Sequence, residues 1–520
     1  MIVHFNLVIL MLIGSLVKPA QAFFAPSLST SRPRSTILHL SNPFSSMLGD
    51  MVSSFLGGGG GNVNPTMDAT LTTLGPSWET VRETLVSLQT PEERKFRDNL
   101  AKGYGPASPL HKVRLYDESN REDEIRVTFY RDSASWCPYC QKVWLTLEEK
   151  KIPYRIEKIN MSCYGDKPAS FMKMQPGGQI PVATIDGKIY GQSNDIIYAL
   201  EELFPDSKSL APADRMKAQK LLRLERSFFS GWLSWLSGSE RNKGNFLVVL
   251  QEVEDVLAAA NGPFFMGKEV TMVDFQYAPF LERMAASILF FKGFMTRVPK
   301  GTKTDYPALN EWFDAMEQLD SYRLTKSDYY THCWDLPPQL GGCTTEPAGE
   351  IYQNAINGER LLDGSRGSWE LPLEPHNGGV EPDWEWTAEN AKLEAVERIS
   401  VNFDAIVNFA ARGAGRKGFP SYRATLADPT AVPSDEVKVG VHACLQVVCM
   451  ALLEGTEQHT DSMQKISRVV KEGGNDYAQG VVDSLAYLRD RVGVPRDMRL
   501  HAARQLRAHL NWAIGTILDA

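Results

Sequence analysis

Residues 127–151 have the sequence VTFYRDSASWCPYCQKVWLTLEEKK, and this stretch decides the fold. Its first four residues are β-branched or aromatic, a composition that favours a strand. From Pro138 onward the apolar side chains recur at helical spacing, and proline is tolerated in a first helical turn because its missing N–H has no partner there. Two cysteines, Cys137 and Cys140, therefore lie where a strand and its loop lead into a helix.

The position of Cys137 favours thiol chemistry. A helix N-terminus presents free N–H groups and the positive end of the helix dipole, and both favour a thiolate. A lowered pKa mainly makes the sulfur a better leaving group from a mixed disulfide, since nucleophilicity falls together with the pKa. Cys140 lies one turn further on, within reach of a disulfide to Cys137. We expect Cys137 to be an exposed nucleophile and Cys140 to be partly buried and either resolving or dispensable.

A zinc site and a structural disulfide are the alternatives for this motif. A zinc site needs a second pair of ligands. The other five cysteines offer no second pair at two-residue spacing: Cys163, Cys333, Cys343, Cys444 and Cys449. The strand–loop–helix setting favours redox or glutathione chemistry. The sequence therefore predicts no metal and a catalytic role for the motif, with Cys137 as the nucleophile and Cys140 as the second candidate thiol.

The residues around the motif form a small α/β unit, and the rest of the chain is mostly helical. Strands and helices alternate in the order βαβαββα, with a hairpin turn at Asp186-Gly187. Seven segments are predicted: a signal peptide over residues 1–22, a transit-like and glycine-rich link over 23–61, an N-terminal extension over 62–120, the α/β domain over 121–206, a helical domain over 212–335, a proline- and glycine-rich linker over 336–385, and a further helical region over 386–520.

Several landmarks in order give residues 126–335, about 210 of 520 residues, a clear resemblance. They resemble a cysteine-type glutathione transferase of the omega or glutaredoxin-like kind, in which a thioredoxin-like domain precedes an all-α domain. The landmarks that carry the resemblance are Cys137-Pro138-Tyr139-Cys140, Lys167-Pro168, Gln179-Ile180-Pro181-Val182, Gln192-Ser193 and the capping box Thr271-Met272-Val273-Asp274.

The resemblance implies a set of site residues. Cys137 and Cys140 would be catalytic. Pro181 would be cis, so that the backbone of Val182 could pair with the cysteinyl part of glutathione. Ser193, at a helix start, would bind the γ-glutamyl carboxylate, with a plain N-cap as the structural alternative. The full set implied to bind glutathione is Pro138, Tyr139, Lys167, Ile180, Pro181, Val182, Gln192 and Ser193.

The C-terminal 130 residues fall outside the common two-domain pattern. Together with the segment of residues 487–498 they resemble plastid-associated, glutathione-transferase-like proteins of plants and algae. The alternating charges of that segment are expected to form ion pairs on the surface, with partner docking as the alternative. They are Arg489, Asp490, Arg491, Arg496 and Asp497.

The net charge of the chain indicates which partners it can bind, and its N-terminal sequence indicates where it is located. The net charge of −8 argues against nucleic-acid binding, which depends on neutralising phosphates. The apolar run near the N-terminus is too short to span a bilayer, which takes about 20 residues, and no later segment spans one. It ends at Ala20-Gln21-Ala22, and a serine-rich, acid-free stretch follows. The junction after Ala22 resembles that of bipartite leaders, which implies a plastid location; secretion is the alternative.

The resulting hypothesis is a glutathione-dependent thiol transferase or reductase with Cys137 as nucleophile. Its partners would be glutathione, as co-substrate, and a disulfide or electrophilic substrate that is either a small molecule such as dehydroascorbate or a protein. The sequence does not determine the oligomeric state, and a homodimer is one of the alternatives. Two rivals remain: a non-enzymatic redox sensor or scaffold whose C-terminal region binds a partner, and an isomerase of the prostaglandin-synthase type, which shares a Cys-Pro-aromatic-Cys motif.

Overall fold

A computed structural model describes residues 65–360, 362, 364–373, 380–381 and 388–520. The predicted leader and glycine-rich link, residues 1–61, lie outside this range. All described residues belong to one compact unit, assigned to residues 41–520.

The described secondary structure consists of five strands and nineteen α-helices, with three short 3₁₀ turns between them. In chain order the elements are α1 (Pro65–Leu74), α2 (Trp78–Leu88), α3 (Pro91–Ala101), β1 (Val113–Arg114), β2 (Val127–Asp132), α4 (Pro138–Lys150), β3 (Tyr154–Ile159), α5 (Ala169–Met174), β4 (Val182–Ile185), β5 (Lys188–Tyr190), α6 (Ser193–Leu203), α7 (Arg215–Leu236), α8 (Lys243–Ala258), α9 (Met272–Lys292), α10 (Pro307–Met316), α11 (Asp320–Arg323), α12 (Tyr329–Leu340), α13 (Glu350–Ile356), α14 (Ala388–Val401), α15 (Phe403–Ala410), α16 (Lys438–Glu454), α17 (Thr456–Glu472), α18 (Asn475–Arg491) and α19 (Leu500–Asp519).

The strands form one mixed sheet in the order β1-β3-β2-β4-β5. Strands β2 and β3 are parallel, and the register pairs Asp132 with Ile159 at their C-terminal ends. The loop that leads to Cys137 and the loop that follows β3 therefore leave the same edge of the sheet. The other strand pairs are antiparallel, and β4 and β5 form the predicted hairpin. This arrangement confirms the expected thioredoxin-like α/β domain.

A helical domain follows, with α9 at its centre. Every residue of α9 is buried, as expected for a helix covered on all sides. Its start is fixed by a capping box in which Thr271 and Asp274 each bind the other's backbone or side chain. Its end is fixed by Gly293, whose φ of 66° is accessible to glycine without a Cβ penalty. Helix α9 contacts α4 of the α/β domain and α7 and α12 of its own domain.

The C-terminal helices form a further bundle, which confirms the third helical region. Helices α14, α16, α17, α18 and α19 contact one another, and α1 and α2 from the N-terminal extension complete the same bundle. Trp78 of α2 donates a hydrogen bond from Nε1 to His442 Nε2 at 2.7 Å and stacks on Phe403, with ring centroids 4.9 Å apart. The Arg82 guanidinium donates to the Ser400 carbonyl at 2.7 Å. The two ends of the described chain therefore share one core.

The expected ion pairs near the end of α18 do form, but neither lies fully on the surface: the Arg496–Asp497 pair, at 2.6 Å, is half-buried. Arg489 and Asp490 do pair, at 2.7 Å, but both are buried. Arg489 also donates to Asn511 Oδ1 of α19 at 2.7 Å, so the pair is enclosed between two helices of the bundle. Sequence alternation of charge could not reveal this, because the covering residues lie outside the segment.

Residues 336–385 hold more regular structure than a linker requires. They include the last turn of α12 and all of α13, and α13 contacts α9. Ala355, Ile356 and Trp369 are buried in the core that the α/β and helical domains share.

Candidate active site

Asp132 organises the loop that presents Cys137. It is the last residue of β2 and is fully buried. Its Oδ2 accepts hydrogen bonds from the backbone N–H groups of Trp136, at 2.5 Å, and Cys137, at 3.0 Å. Its Oδ1 lies 3.9 Å from a guanidinium nitrogen of Arg131. One carboxylate thus closes the turn between the strand and the helix of the motif.

Cys137 is the N-cap residue of α4, with Pro138 in the first helical turn. Both motif cysteines are free thiols. Burial raises the pKa of Cys140 well above its ordinary value, and a hydrogen bond with Cys137 adds to that effect. The structure therefore gives the two thiols unequal surroundings, with Cys140 strongly disfavoured as a thiolate.

The expectation that Cys137 is exposed is wrong. Only 7% of its surface is exposed, against 1% for Cys140. The reason is tertiary: α9 and α12 of the helical domain supply groups that bind the residue just before it. The Arg283 guanidinium donates to the Trp136 carbonyl, and Trp136 Nε1 donates to His332 Nδ1 at 3.0 Å. Packing of the helical domain against the loop therefore leaves little of Cys137 exposed.

A buried polar network lies beneath the motif and joins three helices. His332 on α12 donates from Nε2 to Glu282 Oε1 on α9, at 2.8 Å. Glu282 Oε2 accepts from Gln141 Nε2 on α4, also at 2.8 Å. Burial lowers the pKa of His332, which agrees with a neutral ring accepting from Trp136 at Nδ1. Burial alone would raise the pKa of Glu282, but the hydrogen bond from His332 brings it below its usual value.

Arg283 is the cation that faces the motif. It is buried, lies over the Trp136 ring at 4.5 Å, and donates to Gln141 Oε1 at 2.9 Å. Burial lowers its pKa, while Glu282, Cys137 and Asp132 oppose that change through their negative charges. The Arg283 guanidinium also donates to the Trp136 carbonyl, so a buried cation holds the residue just before Cys137.

A second buried cation, Lys142, lies on the side of α4 that faces the helical domain. Its Nζ donates to Gln276 Oε1 at 2.8 Å and lies 4.5 Å from the centre of the Phe280 ring. Burial lowers the pKa of Lys142 to about 7. Tyr139, which is exposed, packs edge-on against Phe280. These residues form the wall between the motif and the helical domain.

The expected glutathione residues on β4 and its approach are brought close to the motif. The Ile180–Pro181 peptide bond is cis, as the resemblance implies. Val182 is buried at the start of β4, where its neighbour β2 ends near Cys137. Lys167 is half-buried and donates from Nζ to Ser162 Oγ at 3.1 Å. Burial lowers the pKa of Lys167.

Gln192 and Ser193 lie at the start of α6. The N-cap is Gln192, which is exposed and makes no side-chain capping bond; Ser193 is the first helical residue and is half-buried. A plain N-cap role for Ser193 is therefore wrong. Its hydroxyl stands beside the free N–H groups of the first turn, an arrangement suited to a carboxylate.

The C-terminal bundle contacts the same network from the other side. The Ser327 hydroxyl donates to the Val494 carbonyl, while the Ser327 N–H donates to Glu282 Oε1 at 2.7 Å. Val494 N–H donates to Thr331 Oγ1 at 3.1 Å, one residue before His332. The segment after α18 therefore holds the start of α12, from which His332 reaches the motif.

Sequence reasoning missed Asp132, Arg283, His332 and Glu282. Asp132 carries a usable signal, since an acid five residues before a helix-opening cysteine can accept loop N–H groups. The other three have none, because they lie about 145 to 195 residues from the motif and no spacing links them to it. Among the described residues no group of three or more metal-binding side chains is arranged around a metal position.

Comparison with known proteins identifies the family. The profile described as "Glutathione S-transferase, N-terminal domain" matches residues 136–203, and "Glutathione S-transferase, C-terminal domain" matches residues 239–315. A curated relative, "Glutathione S-transferase DHAR2" of Arabidopsis thaliana, is 32% identical over 194 residues, which cover 37% of this chain and 84% of the relative. The chain therefore belongs to the glutathione S-transferase family of enzymes, and its activity depends on glutathione.

A second curated relative and one solved structure also match this chain. "Glutathione S-transferase DHAR3, chloroplastic", also of Arabidopsis thaliana, is 31% identical and aligns with 37% of this chain and 69% of its own. The solved dehydroascorbate reductase of Chlamydomonas reinhardtii is 24% identical over 38% of this chain and 91% of its own, with a TM-score of 0.31. None of the described helices combines the length and apolar character needed to cross a bilayer.

Proposed function

We propose that the protein is a glutathione-dependent thiol transferase or reductase in which Cys137 is the nucleophile. The observation that carries this proposal is the place of Cys137: a free thiol at the N-terminus of α4, directly after Trp136, whose carbonyl accepts from the buried Arg283 guanidinium. A serine or tyrosine hydroxyl would suit a conjugating transferase. A thiol instead forms a disulfide with glutathione, and this favours exchange over conjugation.

The reaction proceeds in two exchanges. The Cys137 thiolate attacks the glutathionyl sulfur of a mixed disulfide; the S–S bond breaks, and the substrate sulfur leaves as a thiolate and takes up a proton. A glutathione thiolate then attacks the new bond between Cys137 and glutathione. Oxidised glutathione leaves, and Cys137 is regenerated as a thiolate.

Glutathione would be held along the edge formed by Lys167, Val182 and the start of α6. The backbone of Val182 would pair with the cysteinyl residue in strand-like fashion. Ser193 and the first N–H groups of α6 would bind the γ-glutamyl carboxylate, with Gln192 beside them. The half-buried ammonium of Lys167 would receive the glycyl carboxylate. Pro138, Tyr139, Ile180 and Pro181 would shape the floor between these groups.

Two acceptor classes fit this chemistry. Dehydroascorbate needs two electrons and two protons, which two glutathione thiols supply as they are oxidised to the disulfide. A glutathionylated polypeptide needs only the exchange described above. The rival interpretation is a redox sensor in which Cys137 and Cys140 form an internal disulfide without turnover.

The test compares Cys137→Ser with Cys140→Ser in turnover of a glutathionylated peptide and of dehydroascorbate. Cys137→Ser should abolish turnover, since a hydroxyl cannot form the mixed disulfide. Cys140→Ser should retain it, because Cys140 is buried and its thiolate is disfavoured. Mass spectrometry of the trapped enzyme should place the glutathione adduct on Cys137. An active Cys137→Ser variant, or an adduct on Cys140, refutes the assignment; a wild type with no turnover supports the sensor.

We also propose a plastid location and the segment boundaries 1–22, 23–61, 62–120, 121–206, 212–335, 336–385 and 386–520. The Ala22-Phe23 junction and the acid-free stretch after it support the location, together with relatives whose names include "chloroplastic".

A further inference from the structure

The loop between α15 and α16 has an unusual surface. Phe419 is 95% exposed, the most exposed large apolar side chain among the described residues. Arg416, Lys417 and Arg423 flank it and are also exposed. Residues 405–427 contain four basic side chains and no acid, in a chain whose net charge is −8. An exposed aromatic side chain that is flanked along the chain by exposed cations, in an acidic protein, points to a binding surface.

The loop has a defined shape. Arg416 and Val432 exchange backbone hydrogen bonds at 3.0 and 2.9 Å, so its two strands are paired at the base. Thr430 Oγ1 donates to the Pro420 carbonyl at 2.6 Å, nearer the tip. The ring of Phe419 is therefore held away from the body of the protein by a braced hairpin-like loop.

Residues 424–426, the arm of this loop that leads back towards α16, lie on the active-site side of the α/β domain. Ala424 N–H donates to the Cys163 carbonyl at 3.2 Å, and the Thr425 hydroxyl donates to the Trp334 carbonyl. Cys163 belongs to the loop after β3, which leaves the sheet at the same edge as the loop to Cys137. Arg496 also donates to the Leu426 carbonyl at 3.2 Å, so the C-terminal bundle fixes the arm in place.

We propose that residues 415–423 dock an acidic polypeptide whose glutathionylated cysteine is delivered to Cys137. This inference rests on the proposed function and names its substrate class. Acidic side chains of the polypeptide pair with Arg416 and Arg423, and an apolar side chain covers Phe419. The chemistry is the exchange already described: the glutathionyl group passes to Cys137 and the polypeptide leaves with a free thiol. A small disulfide reaches Cys137 without touching the loop.

The experiment measures turnover by the full chain with three substrates. They are a glutathionylated peptide with four aspartates around its cysteine, the same peptide with lysines, and bis(2-hydroxyethyl) disulfide. Phe419→Ala and the double variant Arg416→Glu/Arg423→Glu are compared with wild type. Val248→Ala and Arg241→Glu, at exposed positions of the helical domain, are the matched controls.

The wild type should prefer the acidic peptide, and added salt should weaken that preference. Phe419→Ala should lower kcat/KM for the acidic peptide about tenfold, through KM rather than kcat. The charge-reversed variant should lose the preference for the acidic peptide. Turnover of the small disulfide should stay within about twofold of wild type in all variants, since these side chains are remote from a small substrate.

Each other outcome is decisive. Equal kcat/KM for both peptides in the wild type, or an unchanged KM in Phe419→Ala, overturns the docking proposal while leaving the proposed function intact. If the variants lose kcat/KM for the small disulfide as much as for the acidic peptide, the loop supports the structure of the site and does not dock a substrate. Binding to phosphatidylglycerol vesicles that is lost in the variants, with peptide turnover unchanged, assigns the loop to a membrane surface. A wild type that turns over none of the three but reduces dehydroascorbate overturns this inference alone, and one that also fails with dehydroascorbate refutes the proposed function as well.

Discussion

Replacing Asp132 with alanine and with asparagine separates the charge of its buried carboxylate from its role as a hydrogen-bond acceptor. Asparagine keeps a side-chain oxygen that can accept from the N–H groups of Trp136 and Cys137, while alanine leaves both without it. An unsatisfied buried N–H costs about 1–3 kcal/mol. In the alanine variant water can enter the loop and satisfy part of this hydrogen bonding. We therefore expect the free energy of opening the loop to be about 2–4 kcal/mol lower in Asp132→Ala than in Asp132→Asn.

Hydrogen exchange read out by mass spectrometry over residues 133–140 measures this difference locally. A difference of about 2–4 kcal/mol corresponds to exchange roughly 30- to 700-fold faster in Asp132→Ala than in Asp132→Asn, if the amides exchange by local opening. Turnover should follow the same order, because the loop sets the position of Cys137. Equal exchange rates and equal turnover in the two variants would show that another group anchors the loop, and would refute the role assigned to Asp132.

Three further predictions concern ligand binding, pH and targeting. Ser193→Ala should weaken glutathione binding by about 1–3 kcal/mol, the usual loss for a hydrogen bond to a charged group, and an unchanged Kd by calorimetry would place the carboxylate elsewhere. The pKa of Lys142 is about 7 in the folded protein and lies below its unfolded value of about 10.4, so the unfolded state binds more protons between these limits. The free energy of unfolding should therefore rise with pH from 7 towards 10, by up to about 1.4 kcal/mol per pH unit from this residue, and Lys142→Met should remove that contribution; parallel pH profiles of wild type and variant would count against it. A fluorescent fusion to residues 1–60 should enter plastids of an alga with a bipartite import route, Phe23→Ala should leave it in the outer compartments, and normal import of that variant would contradict the leader.

The sequence predicted those parts of the fold that depend on local chemistry. The βαβαββα order and the hairpin turn at Asp186-Gly187 are confirmed, because alternation, helical spacing and turn residues depend on only a few neighbouring residues. Helix α17, Thr456–Glu472, adds little to the sequence pattern that predicts a helical region over 386–520. It buries only Met463, Ile466, Ser467 and Val470, too few apolar residues for a pattern to stand out in a polar segment.

The site was predicted only where the motif itself determines it. The start of α4 at Pro138 follows from the Cys-Pro-Tyr-Cys spacing; Cys140 was expected to be partly buried and is in fact only 1% exposed. The burial of Cys137 does not follow from the spacing, since it depends on Arg283 and His332, which tertiary packing brings from other helices. The buried Arg489–Asp490 pair has the same cause: a surface position cannot be distinguished from an interface until the neighbouring helix is known.

The shared core of the chain ends has a consequence for the order in which the protein can be completed. Of the described elements, α1 and α2 leave the ribosome first, but Phe403 and His442, which enclose Trp78, are made more than 300 residues later. At synthesis rates of about 5–20 residues per second, the apolar face of α2 waits at least about 15 seconds for its partners. During that time the α/β and helical domains can fold between the two ends. Helices α1 and α2 are therefore the last to pack into the fold. A chain released from the ribosome before its C-terminal helices are made would expose Trp78 to solvent.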